Sequence, residues 1–183
     1  MSEGPSKEKM LEVAKTYAKN ALTAREMTSD QLRTRMAAKL ARRFPAPQFE
    51  LDPDVVAAVV EEVEELCRSY SMIDDTAYSS RKAAAGVRAG KSKRMTAMSL
   101  KLKGIDGETA QDGLSDYDDL AAALNFLRKK KSGPFASSGE DPEKRKKALA
   151  SFLRGGFAYS LWNRASAMTL DEIEEYLADT GRG

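Results

Sequence analysis

The sequence contains no histidine and a single cysteine, Cys67. Histidine is the side chain most often used for proton transfer near neutral pH, and it is also the commonest metal ligand. One thiol without any imidazole excludes the usual structural zinc sites and any intrachain disulfide. Most enzyme chemistry is therefore not expected, and the sequence predicts a protein without catalytic residues, cofactors or metal ions.

Long apolar runs and a secretory signal are also missing. No stretch approaches the roughly 20 uninterrupted apolar residues of a membrane span, and the segment from Met1 to Lys9 is polar and of mixed charge. With 42% hydrophobic and 32% charged residues, the chain has the composition of a globular protein. We expect a monomer in the cytoplasm that does not associate with membranes.

Helical periodicity is abundant. Apolar residues recur at steps of three and four from Val56 to Tyr70, with Leu66 and Cys67 on the stripe, and the predicted solvent face carries Glu61, Glu62, Glu64 and Glu65. No segment of comparable length alternates with period two, so the sequence predicts an all-α fold of nine or ten helices. The other stripes are Met10, Ala14, Tyr17 and Ala21; Leu32, Met36 and Leu40; Met95, Met98 and Leu102; Tyr117, Leu120, Leu124 and Leu127; Leu149, Phe152 and Leu153; and Leu170, Ile173 and Leu177.

Capping signals support this division into helices. Thr28 with Gln31 and Thr169 with Glu172 have the spacing of capping boxes. Further helix starts are predicted at Asp52-Pro53, at Ser115 or Asp116, and at Asp141-Pro142, and helix ends at Phe44-Pro45, Lys103-Gly104 and Gly155-Gly156. The Gly, Ser and Pro content of residues 131–139 favours a surface loop.

Asp74 and Asp75 lie between two helical patterns. Adjacent carboxylates suit a metal site or acid–base chemistry, but an aspartate also caps the first turn of a helix. We favour the cap. The segment Ala89-Gly90-Lys91-Ser92 lacks the earlier glycine and the preceding strand of a phosphate-binding loop, so nucleotide binding is not expected.

A weak internal repeat is present. A basic amphipathic helix followed by a stop and an apolar residue occurs at residues 32–44, 94–105 and 145–157. This spacing of roughly 50 to 60 residues accommodates three helices per unit. We predict tandem three-helix repeats at residues 1–70, 71–115 and 116–168, followed by an additional C-terminal helix and tail at residues 169–183.

Four segments, in order and with appropriate spacing, resemble the RecX family of regulatory proteins. The fourth segment is the most specific. The first repeat departs from the family pattern, because Arg43 precedes Phe44 where glycine is usual and residues 45–50 look like an inserted loop. The segments are Ala24-Arg25-Glu26-Met27-Thr28 with Leu32-Arg33, residues 72–78 (MIDDTAY), residues 100–105 (LKLKGI), and residues 141–145 (DPEKR) leading to residues 152–159 (FLRGGFAY).

The resemblance implies an elongated, curved assembly of three-helix repeats without a catalytic residue. Members of the family bind the RecA recombinase filament along its groove and restrain its ATPase, strand-exchange and coprotease activities, which belong to homologous recombination, DNA repair and the SOS response. A like role is expected here. The alternative is a general helical module that binds nucleic acid.

Cations are unevenly distributed in a chain whose net charge is only +2. The stretch from Thr76 to Ile105 contains eight lysines and arginines and no acidic residue, and a second cluster follows at residues 128–131, with further cations at residues 144–147. Such clusters either bind phosphates of single- or double-stranded DNA or are solvated helix faces. The candidate residues for contact with the partner or DNA are Arg81, Lys82, Arg88, Lys91, Lys93, Arg94, Lys101, Lys103, Arg128, Lys129, Lys130 and Lys131.

Two other groups of residues have open roles. Trp162 is either a core residue, which we favour, or an aromatic anchor for a partner or a base-stacking platform. Tyr78 is expected to pack against the next helix. The acidic residues before and along the third predicted helix could oppose a basic partner, repel DNA or maintain solubility, and these roles stay open. They are Glu50, Asp52, Asp54, Glu61, Glu62, Glu64 and Glu65.

Overall fold

Ten α-helices and one 3₁₀ helix make up the described part of the chain, in which no strand occurs. The computed structural model describes residues 4–136 and 141–180. The predicted all-α class is thereby confirmed. The helices are α1 (Lys7–Ala24), α2 (Ser29–Arg43), α3 (Pro53–Ser69), α4 (Asp75–Ala89), α5 (Lys93–Lys101), α6 (Gly107–Gly113), α7 (Asp119–Lys130), the 3₁₀ helix Gly133–Phe135, α8 (Pro142–Arg154), α9 (Tyr159–Ala167) and α10 (Leu170–Thr180).

The chain divides into two compact units, and the boundary falls inside α4. Unit 1 comprises Met1–Tyr78 with Lys103–Asp106, and unit 2 comprises Ser79–Leu102 with Gly107–Gly183. The three repeats stay a prediction, because unit 2 contains most of the second and the whole of the third. None of the helices in the described ranges is both long and apolar enough to cross a membrane.

Unit 1 is built around the bundle of α1, α2 and α3. These helices bury the apolar stripes that the sequence predicts, including Met10, Ala14, Leu32 and Val63. The stripe on α3 ends earlier than its periodicity indicates, since Leu66 is 37% exposed and Tyr70, which caps the helix, is 71% exposed. The end of the bundle therefore carries apolar surface.

Most predicted helix starts are confirmed by capping hydrogen bonds. Thr28 and Gln31 form a reciprocal capping box, the Thr169 hydroxyl accepts from the amide of Glu172, and Asp52 and Asp141 cap α3 and α8. The start at Ser115 or Asp116 was wrong. The N-cap of α7 is Asp118, whose Oδ1 accepts from the amide of Ala121 at 2.8 Å, and residues 114–116 form a turn.

Glu64 corrects the predicted acidic face of α3. Its side chain is 7% exposed and lies between two arginines, with Oε1 2.7 Å from Arg68 Nη2 and Oε2 3.2 Å from Arg33 Nη1. Arg68 also donates to the Ser29 hydroxyl at 3.0 Å. A buried carboxylate is stable only when it is paired with charged or hydrogen-bonding groups, and the arginine partners of Glu64 come from both α2 and α3. Glu64 therefore joins these two helices, whereas Glu61, Glu62 and Glu65 are exposed as predicted.

Unit 2 is organised around α7 and an aromatic cluster. Helix α7 is buried along Leu120–Leu124 and at Leu127. Phe152 is fully buried, with its ring centroid 5.8 Å from Phe126, 4.6 Å from Phe157 and 5.5 Å from Trp162. Trp162 is 3% exposed, so its preferred assignment to the core is confirmed.

The end of α4 lies against the backbone of α7 at Gly90. Gly90 has φ of +69°. Its amide donates to the carbonyl of Val87 and the amide of Lys91 donates to the carbonyl of Gly86, which is the hydrogen-bond pattern of a Schellman motif. A Cβ at this position would lie 2.6 Å from the backbone nitrogen of Phe126. Glycine is thus required by both the left-handed conformation and the close approach.

The predicted loop at residues 131–139 contains the 3₁₀ helix Gly133–Phe135. Residues 137–139 lie outside the described residues, as do residues 181–183 of the predicted tail. The expected C-terminal helix is present as α10, and it buries Ile173 completely. The Tyr176 hydroxyl of α10 donates to Asp118 Oδ2 at 2.9 Å, so one carboxylate both caps α7 and holds the C-terminal helix.

Candidate partner-binding surface

The acid-free stretch predicted to bind a partner forms the greater part of α4, all of α5 and the short segments after each. Most of its cations are exposed, and so are the four cations at the end of α7. Eleven of the twelve candidate residues belong to unit 2. The exposed ones are Arg81, Arg88, Lys91, Lys93, Arg94, Lys101, Arg128, Lys129, Lys130 and Lys131.

The structure brings the two basic clusters together where α4 and α7 end. Lys129 Nζ donates to the carbonyl of Ala89 at 2.9 Å, and Asn125 Nδ2 donates to that of Val87 at 3.1 Å. An ammonium group beside the last carbonyls of a helix is favoured by the helix dipole. Lys129 therefore has a structural role, and its position places the cluster at residues 128–131 beside the end of α4.

The neighbours of Lys129 on α7 are held by local contacts. The Arg128 guanidinium lies 5.5 Å from the centre of the Phe135 ring, which is the distance of a cation–π contact. Lys131 adopts φ of +50° and closes α7 in the left-handed conformation that glycine usually supplies. Lys130 lies between these two residues at the end of α7, and its side chain is exposed.

The surroundings of Arg88 are less positive than its sequence neighbours indicate. Arg88 lines a cleft of about 410 Å³ whose wall also contains Asp112, Asp116 and Asp118. These carboxylates come from α6 and from the turn before α7, and they lower the positive potential near Arg88. No residue of α5 lines this cleft. The cations of α5 therefore do not share the cleft with these carboxylates, whereas Arg88 of α4 does.

Lys103 is the candidate that belongs to unit 1. Its side chain is half-buried, and Nζ donates to the hydroxyl of Tyr78 at 2.7 Å. Its carbonyl accepts from the Thr28 hydroxyl at 2.6 Å. Tyr78 is 2% exposed and packs in the interior, and its expected packing against the next helix stays a prediction. The ammonium group of Lys103 is therefore engaged within the fold, and Lys82 is also half-buried.

Asp74 and Asp75 cap two different helices. Asp74 Oδ1 accepts from the amide of Ala77 at 2.8 Å in the first turn of α4, which confirms the preferred capping role. Asp75 Oδ1 accepts from the amide of Ser29 at 2.9 Å and so satisfies the start of α2. The second contact joins residues 46 positions apart, and periodicity contains no signal for it.

Tyr117 holds the start of α5 in place. Its hydroxyl donates to the carbonyl of Lys91 at 2.6 Å and lies 3.1 Å from Thr96 Oγ1. Burial raises the pKa of the Tyr117 phenol, although its hydrogen bond with Thr96 acts in the opposite direction. The phenol is therefore neutral near pH 7 and remains a donor.

The apolar stripe predicted on α5 faces solvent, contrary to expectation. Met95, Met98 and Leu102 are 43%, 56% and 79% exposed. The helix instead buries Thr96 and Leu100, which lie on its opposite side. Sequence reasoning thus missed three candidate binding residues. The only local signal for the true buried side is the four-residue spacing of Thr96 and Leu100.

Comparison with known proteins shows relatives along nearly the whole chain. A protein named regulatory protein RecX from Agrobacterium fabrum (strain C58) is 34% identical over 171 residues, which cover 93% of this chain and 91% of the relative. A second protein named regulatory protein RecX, from Myxococcus xanthus (strain DK1622), is 30% identical over 158 residues, which cover 81% of this chain and 83% of the relative. No protein-family model matches the sequence.

A solved structure has the same fold. The crystal structure of a regulatory protein RecX matches with a TM-score of 0.64 at 16% identity, covering 87% of this chain and 74% of the other. At this identity the match concerns the fold alone, and it agrees with the all-helical architecture described above.

Proposed function

The chain belongs to the RecX family of regulatory proteins, and from this premise we propose that it binds a RecA-type recombinase filament along its groove. Binding restrains ATP hydrolysis, strand exchange and coprotease activity. The observation that carries the proposal is the relationship to regulatory protein RecX over 93% of the chain. A regulatory role of this kind requires binding surfaces and no reacting groups.

The exposed cations of unit 2 support a role in binding. They lie on α4, on α5 and at the end of α7, so several separate positions are available to a long partner. Weak contacts at several positions of one filament add through avidity, because each contact after the first is intramolecular. A filament is therefore a better partner for this surface than a small ligand.

ATP hydrolysis by the cognate recombinase on single-stranded DNA tests the proposal. We expect stoichiometric protein to lower the steady-state rate several-fold. A variant with Arg88→Glu, Lys91→Glu and Lys130→Glu should require a higher concentration for the same effect, since it reverses three exposed charges of unit 2.

The matched control reverses three exposed lysines of unit 1, Lys9, Lys19 and Lys39. Its net charge equals that of the first variant, so it separates a local surface from a general charge effect. Unchanged hydrolysis with excess wild-type protein would refute the proposal. Equal loss of inhibition in both variants would indicate a general charge effect, and undiminished inhibition by the unit 2 variant would place the binding surface elsewhere.

Binding to nucleic acid alone is the second candidate function. The observation that favours it is the proximity of Lys129 to the end of α4, which combines two basic clusters that are separate in the sequence. Ammonium groups without a specific base partner bind phosphates independently of sequence and lose affinity as salt rises.

This second function predicts measurable affinity for naked single-stranded DNA at low salt. Substituting Lys91 and Lys130 with alanine should reduce the slope of log K against log salt by about 0.7 for each phosphate that is no longer neutralised. Fluorescence anisotropy of a labelled oligonucleotide at several salt concentrations measures the slope. Lys9→Ala with Lys19→Ala is the control, and the absence of binding at low salt would exclude this function.

A further inference from the structure

The solvent face of α5 combines apolar and cationic side chains. At about 100° per residue, Met98 lies between Arg94 and Leu102 around the helix, and Lys101 lies beside Arg94. Met98 and Leu102 are 56% and 79% exposed. The face is therefore an apolar stripe with positive charge along one edge.

This stripe continues onto the turn that joins α8 to α9. The Ser92 hydroxyl, at the start of α5, donates to the carbonyl of Gly155 at 2.7 Å. A Cβ on Gly156 would lie 3.5 Å from Met95 Cγ, so the turn and the helix are in contact. Leu153 and Tyr159 flank this turn and are 43% and 56% exposed.

We define the α5 patch as Met95, Met98, Leu102, Leu153 and Tyr159, with the exposed cations Arg94, Lys101 and Arg154 beside them. The patch contains five of the nine large hydrophobic side chains that are exposed among the described residues. Exposed apolar side chains gathered on one helix and the turn in contact with it mark interaction sites in soluble proteins, whereas scattered apolar side chains do not.

The chemistry of the α5 patch favours a protein partner. Methionine and leucine make no hydrogen bonds to phosphates or base edges, but they gain free energy when an apolar side chain covers them. Methionine also adapts its shape to different partner surfaces. The cations at the edge select acidic groups on the partner, because Arg94 and Lys101 are exposed and do not line the cleft that contains Asp112, Asp116 and Asp118.

We infer that the α5 patch docks an amphipathic segment of the recombinase, in which apolar side chains cover Met98 and Leu102 and flanking aspartates or glutamates pair with Arg94 and Lys101. The inference rests on the proposed function and deepens it by naming the surface and the chemistry of its partner segment. Binding then has an apolar component that persists at high salt and an ionic component that does not.

Affinity for the recombinase filament on single-stranded DNA tests the inference. We expect the double variant M98S/L102S to bind at least about tenfold more weakly than the wild type at all salt concentrations. The double variant R94E/K101E should lose affinity mainly at low salt. All four side chains are exposed, and thermal unfolding followed by circular dichroism verifies that each variant folds.

The matched control is the double variant Y70S/L170S, which removes two large hydrophobic side chains that are 71% and 50% exposed outside the α5 patch. It should bind as tightly as the wild type. If the wild type binds the filament and M98S/L102S binds equally well, the inference is wrong and the proposed function stands. A wild type that does not bind refutes the proposed function, and the inference with it.

Two further measurements separate other occupants of the patch. Loss of affinity of M98S/L102S for naked single-stranded DNA would assign the patch to nucleic acid. Self-association of the wild type that disappears in M98S/L102S, measured by sedimentation equilibrium, would assign it to a second copy of the chain. Either result overturns the inference, whereas unchanged DNA affinity and a monomeric wild type agree with it.

Discussion

Replacement of Phe152 by alanine is expected to destabilise unit 2 by about 3 to 5 kcal/mol. Phe152 is fully buried and its ring contacts Phe126, Phe157 and Trp162. The substitution removes a whole ring from the centre of this cluster, and the three remaining rings cannot close the cavity without leaving their rotamers. The loss combines the transfer free energy of the ring with the cost of the cavity.

The fluorescence of Trp162 measures this loss. Trp162 is the sole tryptophan of the chain and lies in unit 2, so its change in a urea titration reports the unfolding of that unit. The midpoint should fall while the slope of the free energy against urea concentration stays the same. The helical circular dichroism signal follows the unfolding of both units together, since both are helical.

Leu153→Ala is the matched control for Phe152→Ala. The two residues are adjacent on α8, but Leu153 is 43% exposed, so its truncation should change the free energy of unfolding by less than about 1 kcal/mol. Leu153 also belongs to the α5 patch, and its truncation should weaken binding to the filament. Equal destabilisation by the two substitutions would contradict the packing described for the aromatic cluster.

The sequence predicts the helices well because their signals are local. Residues that cap a helix act on amides within three positions, so Thr28, Asp52 and Asp141 identify three helix starts without tertiary information. The same applies to the stripes of the α1–α3 bundle, where one side of each helix is apolar and the other is charged. In these segments local and tertiary preferences agree.

Helix α5 shows where local information is insufficient. Met95, Met98 and Leu102 form the more apolar stripe, yet Thr96 is the buried side chain. Burial of Thr96 depends on the hydroxyl of Tyr117, which lies 21 residues further along the chain. Periodicity identifies a stripe but contains no information about a partner so distant in sequence.

Charge patterns along the chain also differ from charge patterns in space. Glu64 belongs to an acidic run, but it is buried because Arg33 reaches it from another helix. Arg88 belongs to an acid-free stretch, but Asp112 and Asp116 share its cleft. Net charge counted along a segment therefore predicts the composition of a surface only where neighbouring elements contribute no charge of their own.

The structure divides the predicted binding cations into residues that bond within the fold and residues that are exposed to a partner. Lys103 and Lys129 bond to groups of the fold, so their substitution affects stability as well as binding. Arg94 and Lys101 are exposed beside the apolar stripe of α5. Charged residues at the edge of an apolar contact determine orientation and specificity, whereas the apolar residues supply most of the affinity.

Substitution of Gly90 by alanine is expected to destabilise unit 2 by at least about 2 kcal/mol. Gly90 has φ of +69°, where a Cβ is strained, and that Cβ would lie 2.6 Å from the nitrogen and 2.9 Å from the Cα of Phe126. These are backbone atoms of α7, so they cannot rotate away. Relief requires separating α4 from α7, which breaks the bond between Lys129 and the carbonyl of Ala89.

Gly107→Ala is the control, because no atom lies within 4 Å of a Cβ at that position, which is in the first turn of α6. It should leave the stability unchanged or raise it by up to about 1 kcal/mol, since alanine favours the helix. Urea titrations of both variants, followed by Trp162 fluorescence, compare them. If Gly90→Ala were as stable as Gly107→Ala, α4 would not end against α7. The two basic clusters would then be separate surfaces, and a filament or DNA would contact each of them independently.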